Sequence, residues 1–371
     1  MGAMIGGHAT AEGTARYRER FAGRLPAEHF RELTGGAWAS SIGIGTYLGR
    51  EDAATDALYQ KAVARALERG LNVLDTAVNY RHQRSERAIG AALAAAIRGG
   101  LGRDEVVVAT KGGFIPFDGE VPGDPGAYMQ ATYVRPGIVQ PGEVVGSHCM
   151  TPRYLRDQLD RSRANLGLQT VDVYYLHNPE TQLDELSRSE FLSRVREAFA
   201  ALEEAGHEGK LRLYGAATWN GFRADPTEPG YLSLAELVDV AREVGGPEHR
   251  FRVIQLPYNL AMPEAFTRAN QKVEGVFVST LEAARRLGVY VMASASVYQG
   301  QLTRGLPSVV TDYLPGLTSD AQRAIQFVRS TPGIGTALVG MRTLAHVEDN
   351  AGVAAAPPMA WEQFKRLFNE A

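Results

Sequence analysis

Cysteine occurs once in 371 residues, at Cys149. One thiol excludes an intrachain disulfide and a thiolate-built zinc site, and no metal site is expected. Basic residues number 39 against 42 acidic ones, for a formal net charge of −3. Without a basic excess there is no general attraction to nucleic-acid phosphates or anionic lipid. The expected partner is a small molecule, not a nucleic acid or a membrane. No apolar run reaches the roughly 18 residues of a membrane span. The opening "MGAMIGGHATAEGTA" holds neither lysine nor arginine and no sustained apolar stretch, so no secretory signal is expected there and the expected location is the cytoplasm.

What is present is ample core material, with 44% hydrophobic and 22% charged residues, the balance of a globular chain. Short runs rich in valine, isoleucine and tyrosine alternate with longer stretches of helical period, the pattern of parallel strands joined by crossover helices. Eight such runs occur: "SIGIGT" (41–46), "NVLDTA" (72–77), "VVVATK" (106–111), "VDVYYLH" (171–177), "RLYGAAT" (212–218), "RVIQLPY" (252–258), "VYVMAS" (289–294) and "TALVG" (336–340). Eight is the number of a closed (β/α)8 TIM barrel, the fold class expected here, and barrels of this length form one unit.

Helix punctuation agrees. Thr151-Pro152 is expected to start a helix with Leu155, Leu159, Ser162 and Leu166 on one face. Ser233 with Glu236 has capping-box spacing, and Thr343 is placed to cap the last barrel helix. Two additions are expected. Residues 1–40 form an N-terminal extension, with "FREL" and "WASSI" as a hairpin plugging the barrel bottom. Within the barrel unit, 41–371, a long glycine- and proline-rich insertion at 112–150 follows the third strand as a lid or substrate wall. Its aromatics Phe114, Phe117, Tyr128 and Tyr133 either line a pocket or pack the insertion itself.

Asp75, Lys111 and His177 fall at the ends of the second, third and fourth strands, with Tyr80 in the loop after the second. Consecutive barrel strands are neighbours, so the four side chains converge at one mouth. Such a set suits reduction of a carbonyl. Tyrosine, with a free pKa near 10, is a weak acid for that task; an adjacent Lys111 ammonium favours the phenolate, Asp75 fixes the ammonium, and His177 hydrogen-bonds the carbonyl oxygen. Cys149 next to His148 raises a nucleophile reading, but side chains adjacent in sequence diverge.

The segments "LDTAVNY", "VVVATK" and "DVYYLH" resemble the catalytic segments of the aldo/keto reductases, and the resemblance runs from about residue 41 to 350. It implies a nicotinamide cofactor, with NADP(H) favoured and NAD(H) the alternative, and places the family's catalytic tetrad on Asp75, Tyr80, Lys111 and His177. It further implies cofactor contacts at Thr46, Asp75, Thr218, Gln255, Ser294, Gln301, Leu302, Gly340, Arg342, Thr343, His346 and Asn350. A helix N-terminus capped by Thr343, with Arg342 and His346 nearby, is also an anion site on physical grounds. No glycine-rich dinucleotide fingerprint competes with it, since "GIGTYL" from Gly43 and "GIGTAL" from Gly333 each lack the third glycine.

The chain departs from the family around the cofactor. Ala217-Thr218 replaces a serine-asparagine pair, Ser294 replaces a ring-stacking aromatic for which Trp219 or Tyr298 would have to substitute, and Gly340 and His346 stand where a lysine and an arginine are common. The expected activity is hydride transfer between a nicotinamide nucleotide and a carbonyl or alcohol substrate. The alternatives are a nucleotide-sensing regulatory protein of the same fold, or an enzyme recycling tightly bound nucleotide during epimerisation or elimination of a sugar-like substrate.

Overall fold

In the structure, a computed structural model, residues 4–369 are described; residues 1–3 and 370–371, the ends of the extension and barrel spans read from sequence, lie outside them. The strands are β1 (Phe30–Leu33), β2 (Ala37–Ser40), β3 (Ile42–Gly45), β4 (Val73–Asp75), β5 (Val107–Gly112), β6 (Val171–His177), β7 (Leu211–Ala217), β8 (Phe251–Pro257), β9 (Ala269–Val273), β10 (Val276–Ser279), β11 (Tyr290–Ser294) and β12 (Thr336–Gly340). Eight of them, β3 to β8 with β11 and β12, form a closed parallel barrel in chain order, β12 pairing back onto β3. The expected barrel is the observed one, and each sequence run falls on a barrel strand.

Strand period decides which residues face inward. Val73, Val107, Ala109, Val173, Tyr175, Val253, Met292 and Leu338 fill the interior. Their neighbours Leu74, Val108, Tyr174, Leu176, Ile254 and Val291 belong to the larger core between strands and helices. The same parity turns Asp75, Lys111, His177 and Gln255 inward at the C-terminal strand ends, where the register pairs His177 with Ala217 and Ala217 with Gln255. β1 and β2 form the antiparallel hairpin, Leu33 facing Ala37. Its apolar side chains Leu33, Ala37 and Ala39 join the interior cluster.

The helix Pro152–Leu166 starts where the proline sets it and buries Leu155, Leu159, Ser162 and Leu166; each leucine contributes roughly 1.5–3 kcal/mol of burial, as an upper bound. Thr151 is not its hydrogen-bonding cap, because its Oγ1 pairs with Cys149 Sγ at 3.4 Å instead. Ser233 caps its helix by accepting from Glu236 N. The reciprocal half of that box is missing, since the Glu236 carboxylate pairs with Arg188. Thr343 accepts from His346 N at 3.3 Å at the start of the helix Leu344–Gly352, as expected.

One feature was not anticipated, and one open alternative is decided. Between β8 and β11 the chain forms a second hairpin, β9 with β10, turning at Glu274 and Gly275. The insertion 112–150 holds a short helix, Pro125–Met129, and an apolar cluster in which its Tyr133, Val139 and Cys149 pack on Tyr154 of the helix Pro152–Leu166. The rings of Phe117, Tyr128, Tyr133 and Tyr154 meet in succession at 5.5 to 6.1 Å. Three of the four insertion aromatics therefore pack the insertion.

Candidate active site

A cavity of about 810 Å³ occupies the barrel mouth, walled by Asp75, Tyr80 and His177 with Tyr47, Leu48, Asn79, Phe114, Asn178 and Trp219. Beneath it, Lys111 Nζ donates to Asp75 Oδ1 and Oδ2 at 2.9 and 2.7 Å and to the Thr76 carbonyl at 2.7 Å. The ammonium is fully buried and Asp75 nearly so. A buried pair of this kind persists only with good geometry and satisfied hydrogen bonds, and here Gln255 Nε2 supplies a further one to Asp75 Oδ1 at 2.9 Å. Gln255 is thus committed to Asp75 and not to the main chain.

Lys111 Nζ lies 5.0 Å from the Tyr80 ring centroid, a cation–π distance. Tyr80 also meets Tyr47 at 5.0 Å and His177 at 5.8 Å, both edge-on. Burial first, then the Asp75 charge and Tyr47, hold the Tyr80 phenol well above its ordinary pKa. The expected lowering by Lys111 does not prevail, because the ammonium is neutralised by its own carboxylate and desolvation dominates. His177 is pushed well below its ordinary value by burial, with Lys111 and His148 adding, so the imidazole is neutral.

Of the expected cofactor contacts, Thr46, Asp75, Thr218, Gln255, Ser294, Gly340, His346 and Asn350 line the cavity. Gln301, Leu302, Arg342 and Thr343 do not. Gln299 and Gly300 adopt left-handed backbone, which presents them and Thr303 to the cavity and leaves Gln301 exposed. Thr343 Oγ1 is used by the cap. Arg342 is half-buried at the side, its Nε buried and unpartnered. Trp219 lines the cavity and Tyr298 does not.

Sequence reasoning missed several neighbours. Asp349 lines the far end of the cavity and accepts from Ser319 Oγ and Gln322 Nε2, each at 2.9 Å, tying the last barrel helix to the helix Asp320–Ser330. Its position three residues after His346 on one helix face was the available signal. Glu180, one turn past His177, accepts the backbone N–H groups of Trp219, Asn220 and Gly221 at 2.8, 3.2 and 3.4 Å, and so holds the Trp219 loop against the mouth. Burial raises its pKa. No group of histidine, cysteine or acidic side chains suited to a metal ion occurs among the described residues, and no helix among them is long and apolar enough to cross a membrane.

The insertion supports the site from behind. Gln83 Nε2 donates to the Phe117 carbonyl and Gly119 N–H to the His82 carbonyl, both at 2.8 Å. These bonds brace Arg81, His82 and Gln83, three consecutive residues in left-handed backbone directly after Tyr80, a conformation that needs outside support. Replacing residues 117–146 by a short glycine-serine linker is expected to leave the barrel folded, since no barrel strand is cut and closure depends weakly on loop length. Stability should drop as Cys149 and Tyr154 lose their cover, and turnover should fall as the Tyr80 turn loosens, with nucleotide binding kept. Circular dichroism melts, nucleotide titration and turnover check this; a truncated protein with full activity would show that the brace is idle.

A closed parallel barrel carrying a buried carboxylate–ammonium pair, a phenol and a neutral imidazole at its mouth defines the molecule's class. The model of the aldo/keto reductase family matches residues 41–305, and the chain belongs to that family. An NADH-specific methylglyoxal reductase from Escherichia coli (strain K12) is 26% identical over 249 residues, 67% of this chain and 58% of that protein. A 6-dehydroglucose reductase from Novosphingobium aromaticivorans is 28% identical over 199 residues, 51% of each chain. The chain thus spans little more than half the length of these curated relatives. Among solved structures, an aldo/keto reductase from Klebsiella pneumoniae in complex with NADP and acetate superposes with a TM-score of 0.62 at 20% identity, covering 92% of this chain and 95% of that one. The holo form of an aldo-keto reductase from Bacillus halodurans gives 0.63 at 20% identity, over 92% and 96%. At that identity these two speak for the fold alone.

Proposed function

We propose that the protein is a nicotinamide-nucleotide-dependent oxidoreductase interconverting a carbonyl and an alcohol, with Tyr80 as acid in reduction and base in oxidation. The observation that carries this reading is the buried Asp75–Lys111 pair set under the Tyr80 ring on the wall that also bears His177.

The mouth fits such a nucleotide. The cavity is large enough at about 810 Å³, within the usual range for cofactor sites. Thr218 Oγ1 is buried without a partner, and so is Arg342 Nε beside the N-terminus of Leu344–Gly352. Thr218 would hold a carboxamide, with Gln255 offering it the amide oxygen that the bond to Asp75 leaves over, while the helix start with His346 would hold phosphate and Arg342 would reach it from the side. The bound nucleotide supplies or takes the hydride. The high pKa of Tyr80 keeps its proton in place until the carbonyl oxygen becomes basic. Neutral His177 hydrogen-bonds that oxygen, and the Lys111 ammonium stabilises the phenolate as it forms. Asp75 and the Thr76 carbonyl keep the ammonium stationary, so no reorganisation accompanies the transfer. Tyr47, Leu48, Phe114 and Trp219 beside Asn79 and Asn178 combine apolar wall with amide groups, which suits a small polar carbonyl of the kind named for the relatives, a ketoaldehyde or a sugar.

Mass spectrometry of small molecules released from the protein, then titration with NADPH and NADH and turnover on methylglyoxal and an aldose panel, tests the proposal. Absence of nucleotide binding would sink it; saturable binding without hydride transfer would favour the sensor alternative. NADPH is favoured here because Arg342, half-buried beside the cavity, forms no ion pair among the described residues and would have only to turn into the mouth to meet a 2′-phosphate. Arg342→Ala should therefore weaken NADPH about 10-fold while leaving NADH within about 3-fold, the scale of one charge-assisted contact. Equal losses in the two titrations would refute the assignment.

A further inference from the structure

The ends of the insertion pair as a short antiparallel neck, Ile115 N–H donating to the Ser147 carbonyl and Cys149 N–H to the Gly113 carbonyl, both at 2.9 Å. That neck carries a fully buried His148 to the back of the site. The polarity of its bonds can be assigned atom by atom. Arg194 only donates, so the Gln182 atom 2.5 Å from its Nη1 is the amide oxygen. Gln182 therefore turns its amide nitrogen to His148 Nδ1, at 3.0 Å, and that ring nitrogen accepts. The proton must then sit on Nε2, which lies 2.7 Å from the carbonyl oxygen of His177 and donates to it. Burial holds the His148 pKa down to about 4, which preserves this neutral tautomer.

Two further contacts join the same residues. Gly113 has φ +150, and a Cβ there would stand 2.6 Å from His148 Nε2 and 2.9 Å from the His177 oxygen, so only glycine admits the bond. The Phe114 ring stands edge-on to both imidazoles, 5.1 Å from each. By contrast, His177 Nδ1 is buried with no partner. Among the described residues no hydrogen bond holds that ring by its nitrogen, so its aim depends on its main chain and on the rings of Phe114 and Tyr80. On the other side the main chain is fixed by Asn178, in left-handed backbone, whose N–H donates to the Ala217 carbonyl at 2.6 Å.

We infer that His148 is a positioning residue. Its bond to the His177 carbonyl, shared with the Phe114 edge, sets the angle at which the His177 imidazole meets the substrate oxygen, and the neck of the insertion thereby belongs to the catalytic apparatus. The inference rests on the role of His177 in the proposed function. A small angular error in a group that orients a reacting atom costs turnover more than binding.

Glutamine places its amide nitrogen close to the position of a histidine Nε2, whereas asparagine reproduces only Nδ1. His148→Asn is expected to lower kcat at least ~10-fold, with nucleotide Kd unchanged, and His148→Gln to recover to within ~3-fold of the native value. A merely space-filling histidine would give two variants of equal activity, and that result would overturn the inference. Long-range 1H–15N spectra of the native protein, labelled at histidine, test the bond's polarity independently of turnover and of whether the asparagine variant folds. His148 should be the Nε2–H tautomer, and the His177 signals should move in His148→Asn but not in His148→Gln. An Nδ1–H tautomer for His148 would overturn the assignment. A native protein that turns over no carbonyl would count against the proposed function and leave the tautomer result standing.

Discussion

Tyr80→Phe should lower carbonyl turnover by at least ~100-fold, the scale of a lost, positioned proton donor, while folding and nucleotide affinity stay at native values. The expectation is sharp because the substitution removes one oxygen and keeps the ring. The edge contacts to Tyr47 and His177 and the Lys111 ammonium 5.0 Å from the ring centroid all belong to the ring, not to the hydroxyl. The left-handed turn at Arg81, His82 and Gln83 is anchored from elsewhere, through Arg81 on the Arg50 carbonyl at 2.8 Å and on Asp56 at 2.6 Å. Loss of turnover with unchanged melting and unchanged nucleotide titration therefore reports proton transfer. Turnover within about 3-fold of native would remove Tyr80 from the mechanism, and His177, edge-on to Tyr80 at the same mouth, would be examined as the donor.

The barrel was legible because its physics is local. Each strand announces itself by an apolar run, and strand parity alone says that Asp75, Lys111 and His177 share the inward face once the count of eight is made. What stayed hidden depends on contacts between distant segments. The β9–β10 hairpin is stabilised by buried amides that serve other parts of the chain: Asn270 donates to the carbonyls of Phe222 and Ala224, and Gln271 accepts from Leu234 N. Read alone, "ANQKVEGVFVS" is a polar interruption within a crossover. Gln255 and Asp75 are 180 positions apart, and only closure of the barrel makes them neighbours. His148 carried no periodic or motif signal; its adjacency to Cys149 raised only a thiol reading that the divergence of adjacent side chains already argued against, and the neck turns the imidazole toward His177 and leaves the thiol against Thr151. At the cofactor end, residue type was a poor guide to direction. Gln301, Leu302, Arg342 and Thr343 are all close in sequence to cavity-lining residues, yet a left-handed turn and a helix cap decide which side chains point in.

Lys111→Met is expected to damage both stability and turnover, and the two losses have separate causes. Stability should fall by about 3–5 kcal/mol, the cost of stranding one member of a buried ion pair, since the buried Asp75 side chain would be left with Gln255 Nε2 as its remaining donor among the described residues. Denaturant titration measures this loss. Turnover should fall at least ~100-fold because the phenolate formed at Tyr80 loses its cation. Any residual oxidation, which needs that phenolate as base, should shift to higher pH: the Asp75 charge already helps to raise the Tyr80 pKa, and without the ammonium it acts unopposed. Adding Asp75→Asn to Lys111→Met removes the stranded charge while keeping an acceptor for Gln255. The double variant should thus be more stable than Lys111→Met alone, although turnover stays low because the cation is still missing. If the double variant instead lost the sum of the two single losses, the pair would not be coupled, and the reading of Asp75 as the anchor of the ammonium would have to be withdrawn.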